Sequence, residues 1–192
     1  MSVESEQADY REPAQAQILE TLDLCQSYLP ADIQPSHKQR LIHIRDWVIS
    51  HHVHDREFLT NPPRSPQKYS FAWKEQESNT FASDSPYGKV VIRENRSKKP
   101  FSYGATSSYK PWIEDPSGAR YDCLEKFIDF VDAENWLQDA LNRLDDPRLS
   151  EWFLECIHFT LDICRHVLPD TLDHLHRERI AYLADWFDES LP

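Results

Sequence analysis

The sequence predicts a mainly α-helical protein: a pseudo-symmetric bundle of two duplicated helical hairpins plus extra helices, with a small β-rich or irregular insertion. Three observations lead there. A stretch near the start recurs near the end, the recurring text has helical apolar spacing broken by prolines, and the chain between is rich in Pro, Ser and aromatics. The 192 residues, 40% of them hydrophobic, suffice for one domain with a real core. Residues 1–12 read as a polar, disordered tail ahead of it.

The first hairpin spans 18–48 and aligns without gaps on 157–187, at a constant offset of 139. Eleven of the 31 positions are identical, where ordinary composition gives roughly two. Each copy reads as helix, proline-ended turn, helix. Pro30 and Pro169 stop the first helices, because proline cannot donate the next hydrogen bond and disfavours a helical residue before it. The second helices are expected from about Ser36 and Asp170. Residues 61–118 form the insertion, with short extended candidates at 69–74, 89–93 and 101–103. Residues 119–144 read as helical, with Leu124, Phe127, Ile128 and Val131 on one face. Residues 147–190 hold the second hairpin, whose first helix carries Trp152, Cys156, Phe159, Ile163 and Val167 at helical spacing.

Formal charge is −12 but unevenly spread. Between Arg64 and Lys110, Arg64, Lys68, Lys74, Lys89, Arg93, Arg96, Lys98, Lys99 and Lys110 face only Glu75, Glu77, Asp84 and Glu94, so the rest of the chain stands at −17. A body that acidic disfavours nucleic acid as a direct ligand. Four cysteines without CxxC spacing suit a reducing cytoplasm. The acidic N-terminus does not read as a secretory signal, and no stretch nears the ~18 apolar residues of a membrane span.

Residues identical in both copies are first explained by folding. Asp23 with Arg40, and Asp162 with Arg179, are expected to form cross-hairpin ion pairs, and Trp47 and Trp186 to anchor the core. Chemistry is thinly supported. Arg45 and His51, the ends of RDWVISH, match the Arg-x(4–6)-His spacing of HEPN-type ribonucleases, where arginine would bind phosphate and histidine move a proton. They are the only catalytic candidates, and copy two replaces them with Ala184 and Ser190. His51, His52, His54 and Asp55, or Glu155 with His158, Asp162 and His166, carry metal-ligating groups, but none makes a complete set. Three glycines leave no phosphate-cradling loop. No cofactor or metal is expected.

The hairpin text Cys-Gln-Ser-Tyr-Leu-Pro from Cys25, followed by Arg40 and Asp46-Trp47, resembles small bacterial all-helical proteins of the immunity type, which neutralise polymorphic toxins. The resemblance covers about a third of the chain, excludes 61–118, and carries over no functional residue. It implies a protein that binds and inhibits another macromolecule. The residues point the same way: Lys89, Arg93, Arg96, Lys98 and Lys99 lie among Tyr103, Tyr109 and Trp112, a mixture suited to protein recognition. The expectation is a cytoplasmic interaction protein whose partner is basic or acts on nucleic acid. The alternatives are a ribonuclease or metal-dependent hydrolase using Arg45 and His51, and a scaffold subunit of a larger assembly.

Overall fold

A computed structural model describes residues 13–50, 62–97 and 106–190. The chain order is α1 (Gln15–Tyr28), α2 (Pro35–Ser50), β1 (Lys74–Glu77), β2 (Thr80–Ser85), β3 (Gly88–Ser97), β4 (Thr106–Glu114), β5 (Arg120–Asp122), α3 (Phe130–Asp145), a 3-10 turn (Pro147–Leu149), α4 (Phe153–Val167) and α5 (Leu175–Ser190). The mainly helical class is overturned. The five strands form one antiparallel meander in the order β1-β2-β3-β4-β5, so the fold mixes a helical layer with a sizeable sheet. The tail at 1–12 and the extended candidate at 101–103 lie outside the described residues.

Four helices make the first core. Ile18, Leu22 and Cys25 of α1, Leu41, Ile44 and Val48 of α2, Ile157, Leu161 and Cys164 of α4, and Ile180, Leu183 and Phe187 of α5 are all buried together. The i, i+3, i+4, i+7 spacing puts each set on one helical face. In α4 the buried stripe is not the expected one. Trp152 and Phe159 are 62% and 59% exposed, because α4 is apolar on more than one side and the stripe through Ile157 and Leu161 is the one that meets α1 and α2.

The two hairpins contact each other reciprocally, the threonine of each copy meeting the histidine of the other. Thr21 Oγ1 donates to the Gln17 carbonyl at 3.0 Å and lies 2.9 Å from His176 Nδ1. Thr160 Oγ1 donates to the Cys156 carbonyl at 3.0 Å and lies 3.1 Å from His37 Nδ1. With its proton committed to its own helix, the Thr160 hydroxyl accepts from His37, which assigns that imidazole an Nδ1–H; Thr21 Oγ1 and His176 Nδ1 share the Arg179 guanidinium, 3.3 and 3.4 Å away. Cys25 Sγ lies 3.7 Å from the carbonyl of its counterpart Cys164. The turns match as well: Ile33 N–H donates to the Pro30 carbonyl at 3.2 Å, and Leu172 N–H to that of Pro169 at 3.1 Å.

The second core lies between the sheet and α3. In an antiparallel sheet alternate residues share a face. Val90, Ile92 and Ile113 project inward onto Ala133, Leu137, Ala140, Leu141 and Leu144. The opposite face carries a smaller cluster of Ala82, Val91 and Trp112. Gly88, at φ +122°, opens β3, and a Cβ there would sit 2.2 Å from the Glu114 carbonyl oxygen, so only glycine lets β4 approach. Asp129 caps α3 by accepting from the Val131 N–H at 2.9 Å. The helix expected over 119–144 is therefore confined to Phe130–Asp145, and its first residues are strand and connection instead.

Extended chain ahead of β1 is fastened along α3 by side chains. Asp146 accepts from the Arg64 N–H at 2.9 Å, Asn142 accepts from Gln67 N–H at 2.6 Å and donates to its carbonyl at 2.9 Å, and Gln138 does the same to Tyr69 at 2.8 and 2.6 Å. These residues sit at i, i+4 and i+8 on one helix face. Beyond them Tyr69, Phe71 and Trp73 pack against the second core. The two cores are joined where Lys38 of α2 meets Asp115, after β4, at 2.9 Å.

Candidate protein-binding surface

The expected ion pairs are not formed. Asp23 takes Arg45 Nε at 2.6 Å, and Asp162 lies 3.4 Å from His166 of its own helix. Arg179 reaches across to the other hairpin, 3.4 Å from Glu20 and 3.3 Å from Thr21 Oγ1. Arg179 is thereby drawn away from Asp162 of its own hairpin. Arg40 lies close enough to His37 to help lower its pKa. Trp186 is buried and Trp47 half-buried, stacked edge-on against Phe153 and Phe187 at 6.1 and 5.9 Å.

Of the catalytic and metal candidates, Arg45, Glu155, His158, Asp162 and His166 lie within the described residues. Arg45 is engaged by Asp23, and its expected companion His51 lies outside the described residues, as do His52, His54 and Asp55. His158 Nε2 lies 2.7 Å from Asp188 Oδ1. Among the described residues no three His, Cys, Asp or Glu side chains are grouped to hold a metal ion. No described helix is long and apolar enough to cross a membrane.

The basic, aromatic set divides. Lys98, Lys99 and Tyr103 lie outside the described residues. Lys89 and Arg93 project from the outer face of the sheet, where Lys89 stands opposite Asp84 on one neighbouring strand and Glu114 on the other. Arg93 and Arg120 cover the Trp112 ring, their guanidinium carbons 5.5 and 5.0 Å from its centroid, and Trp112 is only 5% exposed. Tyr109 packs edge-on against Phe130 at 5.7 Å. Arg96 forks onto Glu94 through two contacts of 3.1 Å. Hydrogen bonds from Arg96 and Ser107 hold the Glu94 carboxyl below its ordinary range. Contacts within the sheet and to α3 thus engage Arg93, Arg96, Tyr109 and Trp112 of the set that read as a binding face.

A different surface is left open. Leu124 is 99% exposed, Ile128 89% and Val131 57%, all within the connection from β5 to α3 and its first helical turn. This stretch is held at its middle: Tyr109 N–H donates to the Phe127 carbonyl at 2.7 Å, and Phe127 N–H returns to Tyr109 at 2.9 Å. Phe127 is anchored inward while Leu124 and Ile128 stand in solvent on either side. Glu125, Lys126, Asp129 and Asp132 are exposed around them. The helix face expected to carry Leu124, Phe127, Ile128 and Val131 is not formed, since α3 begins only at Phe130. The missed signal is Asp129 followed by Asp132, an N-cap and an acidic first turn that start the helix only after Ile128.

Comparison with protein-family models, with curated proteins and with solved structures finds no match.

Proposed function

We propose that this chain is a protein-binding inhibitor whose interface centres on Leu124, Ile128 and Val131, and whose partner presents an apolar pocket with a basic rim. The observation that carries the reading is the full exposure of Leu124 and Ile128 on a backbone pinned by two hydrogen bonds. Grouped large aliphatics are a cost to a free chain and a gain to a complex: burying each contributes about 1.5 to 3 kcal/mol. A pinned backbone lowers the ordering entropy lost on binding. Glu125, Asp129 and Asp132 supply the complementary rim, and the net charge of −12 steers a basic partner, such as a nuclease or other nucleic-acid-acting enzyme, toward the surface. Inhibition asks for no chemistry of the inhibitor, only coverage of the partner's working surface.

The test is affinity capture from the source cells with the wild type and with Leu124→Glu/Ile128→Glu in parallel, followed by an activity assay of the captured protein. The expected result is a stoichiometric basic partner that the double variant fails to retain and that one equivalent of wild type silences. A partner held equally by both proteins would move the interface elsewhere. A partner held but left fully active would remove the inhibitory role.

A further inference from the structure

The segment fastened to α3 changes its period along its length. From Tyr69 onward the inward residues are Tyr69, Phe71 and Trp73, two apart, as in a strand. Before that the N–H groups of Arg64 and Gln67 are the ones bonded to α3, three apart. Three residues per turn is the period of the polyproline II helix, which has no internal hydrogen bonds and suits Pro62-Pro63-Arg64-Ser65-Pro66. With the N–H groups of Arg64 and Gln67 turned to α3, the same period gathers the rings of Pro63 and Pro66 on one edge, and Pro62, Ser65 and Lys68 on another. Every one of these residues is exposed.

We propose that residues 62–68 are a proline-rich docking segment, displayed pre-extended by α3, for a partner whose groove is lined by aromatic rings and rimmed by carboxylates. Grooves of that kind read two prolines spaced as Pro-x-x-Pro, which Pro63 and Pro66 supply, and gain because a polyproline helix has little conformational entropy left to lose. The side-chain clamps of Asn142 and Asp146 fix the backbone from behind, so binding starts from the bound shape. The acidic rim follows from charge. Arg64 and Lys68 are exposed, and no carboxylate occurs from Pro62 through Trp73, in a chain of net charge −12. This surface is independent of the Leu124 and Ile128 interface.

The experiment titrates the full-length protein with purified SH3 and WW domains, chosen as probes that read this chemistry, and follows binding by NMR shifts on the domain. At least one domain is expected to bind with a Kd below about 1 mM. Pro63→Ala/Pro66→Ala, both at exposed positions, is expected to weaken it at least about tenfold, and Arg64→Glu/Lys68→Glu to abolish it. Asn142→Ala leaves the motif intact but frees its backbone, with an expected loss of about three- to tenfold. Asn142→Leu, which fills similar space without either bond to Gln67, serves in its place if Asn142→Ala unfolds by circular dichroism. No domain binding below about 1 mM, or full affinity in the double-proline variant, would overturn the docking motif. Undiminished affinity in the anchor variant would overturn its display by α3.

Discussion

His37 is the residue whose burial has the clearest thermodynamic consequence. Burial, helped by the Arg40 charge, lowers its pKa from 6.5 to about 4. The folded state therefore keeps the imidazole neutral where the unfolded chain already binds a proton, and stability must rise with pH through that interval. It is full above about pH 6.5 and lost as pH falls toward about 4, for a total of roughly 3 kcal/mol. His43 is shifted downward too, chiefly by burial, and adds in the same direction. Asp115 acts at lower pH: burial pushes its pKa up, but hydrogen bonds from Ser117, Lys38 and Ala119 outweigh that and leave it below its ordinary value. Denaturant titrations at pH 8, 6 and 4.5 should show a sloping acid limb in the wild type. In His37→Asn, whose amide can still donate to Thr160, much of that slope should disappear. An unchanged limb would assign it to other groups. The identities Thr21 with Thr160 and His37 with His176 were visible in the sequence, but their meaning was not. Self-alignment pairs equivalent positions, whereas the hydrogen bonds join non-equivalent ones across the two copies.

At the scale of elements, the hairpins announced themselves and the sheet only in part, through the extended candidate 89–93 that lies within β3. Helices α1 and α4 end where Pro30 and Pro169 follow, a signal that survives any context. The strands give weak patterns: β1 is Lys-Glu-Gln-Glu and fully exposed, and β3 buries Val90, Val91 and Ile92 in succession because both faces are covered. A two-residue alternation is lost there. One local signal was sufficient: Asp115-Pro116-Ser117-Gly118, in which Asp115 accepts from Ser117 and Ala119 N–H groups and Gly118 adopts φ +85°, is a turn between strands and so rules a helix out of 119–122. Two substitutions test the elements. Gly88→Ala places a Cβ against the Glu114 backbone and should destabilise by about 3 kcal/mol or more. Asn142→Ala removes both bonds to Gln67; since that residue is exposed, water replaces part of the loss and the cost should be about 1 to 2 kcal/mol. Hydrogen exchange should then quicken at Gln67 while Val90 and Ile92 stay protected. Equal quickening at both would mean that the segment and the sheet open together.

For the whole molecule, charge separates two effects that a stability measurement alone would confuse. A net charge of −12 repels itself, and the acidic residues lie mostly outside the sheet, within which Lys110 and Arg120 meet Asp122 and Glu114 on neighbouring strands. Added salt screens that repulsion within a Debye length of about 10 Å at 0.1 M and about 3 Å at 1 M. The free chain should therefore gain thermal stability, by a few degrees, between low and moderate NaCl. The proposed complex with a basic partner should respond with the opposite sign. Its association rate should fall steeply over the same salt range, because long-range attraction brings the partners together, while its dissociation rate changes little, because Leu124, Ile128 and Val131 hold them by apolar burial. Thermal melts of the free protein and surface-binding kinetics of the complex, run over one salt series, measure the two responses together. If the complex tightened with salt, charge would not be steering it and the basic rim would be the wrong partner chemistry. If the free chain lost stability, the local pairings such as Lys38 with Asp115 would outweigh the net repulsion.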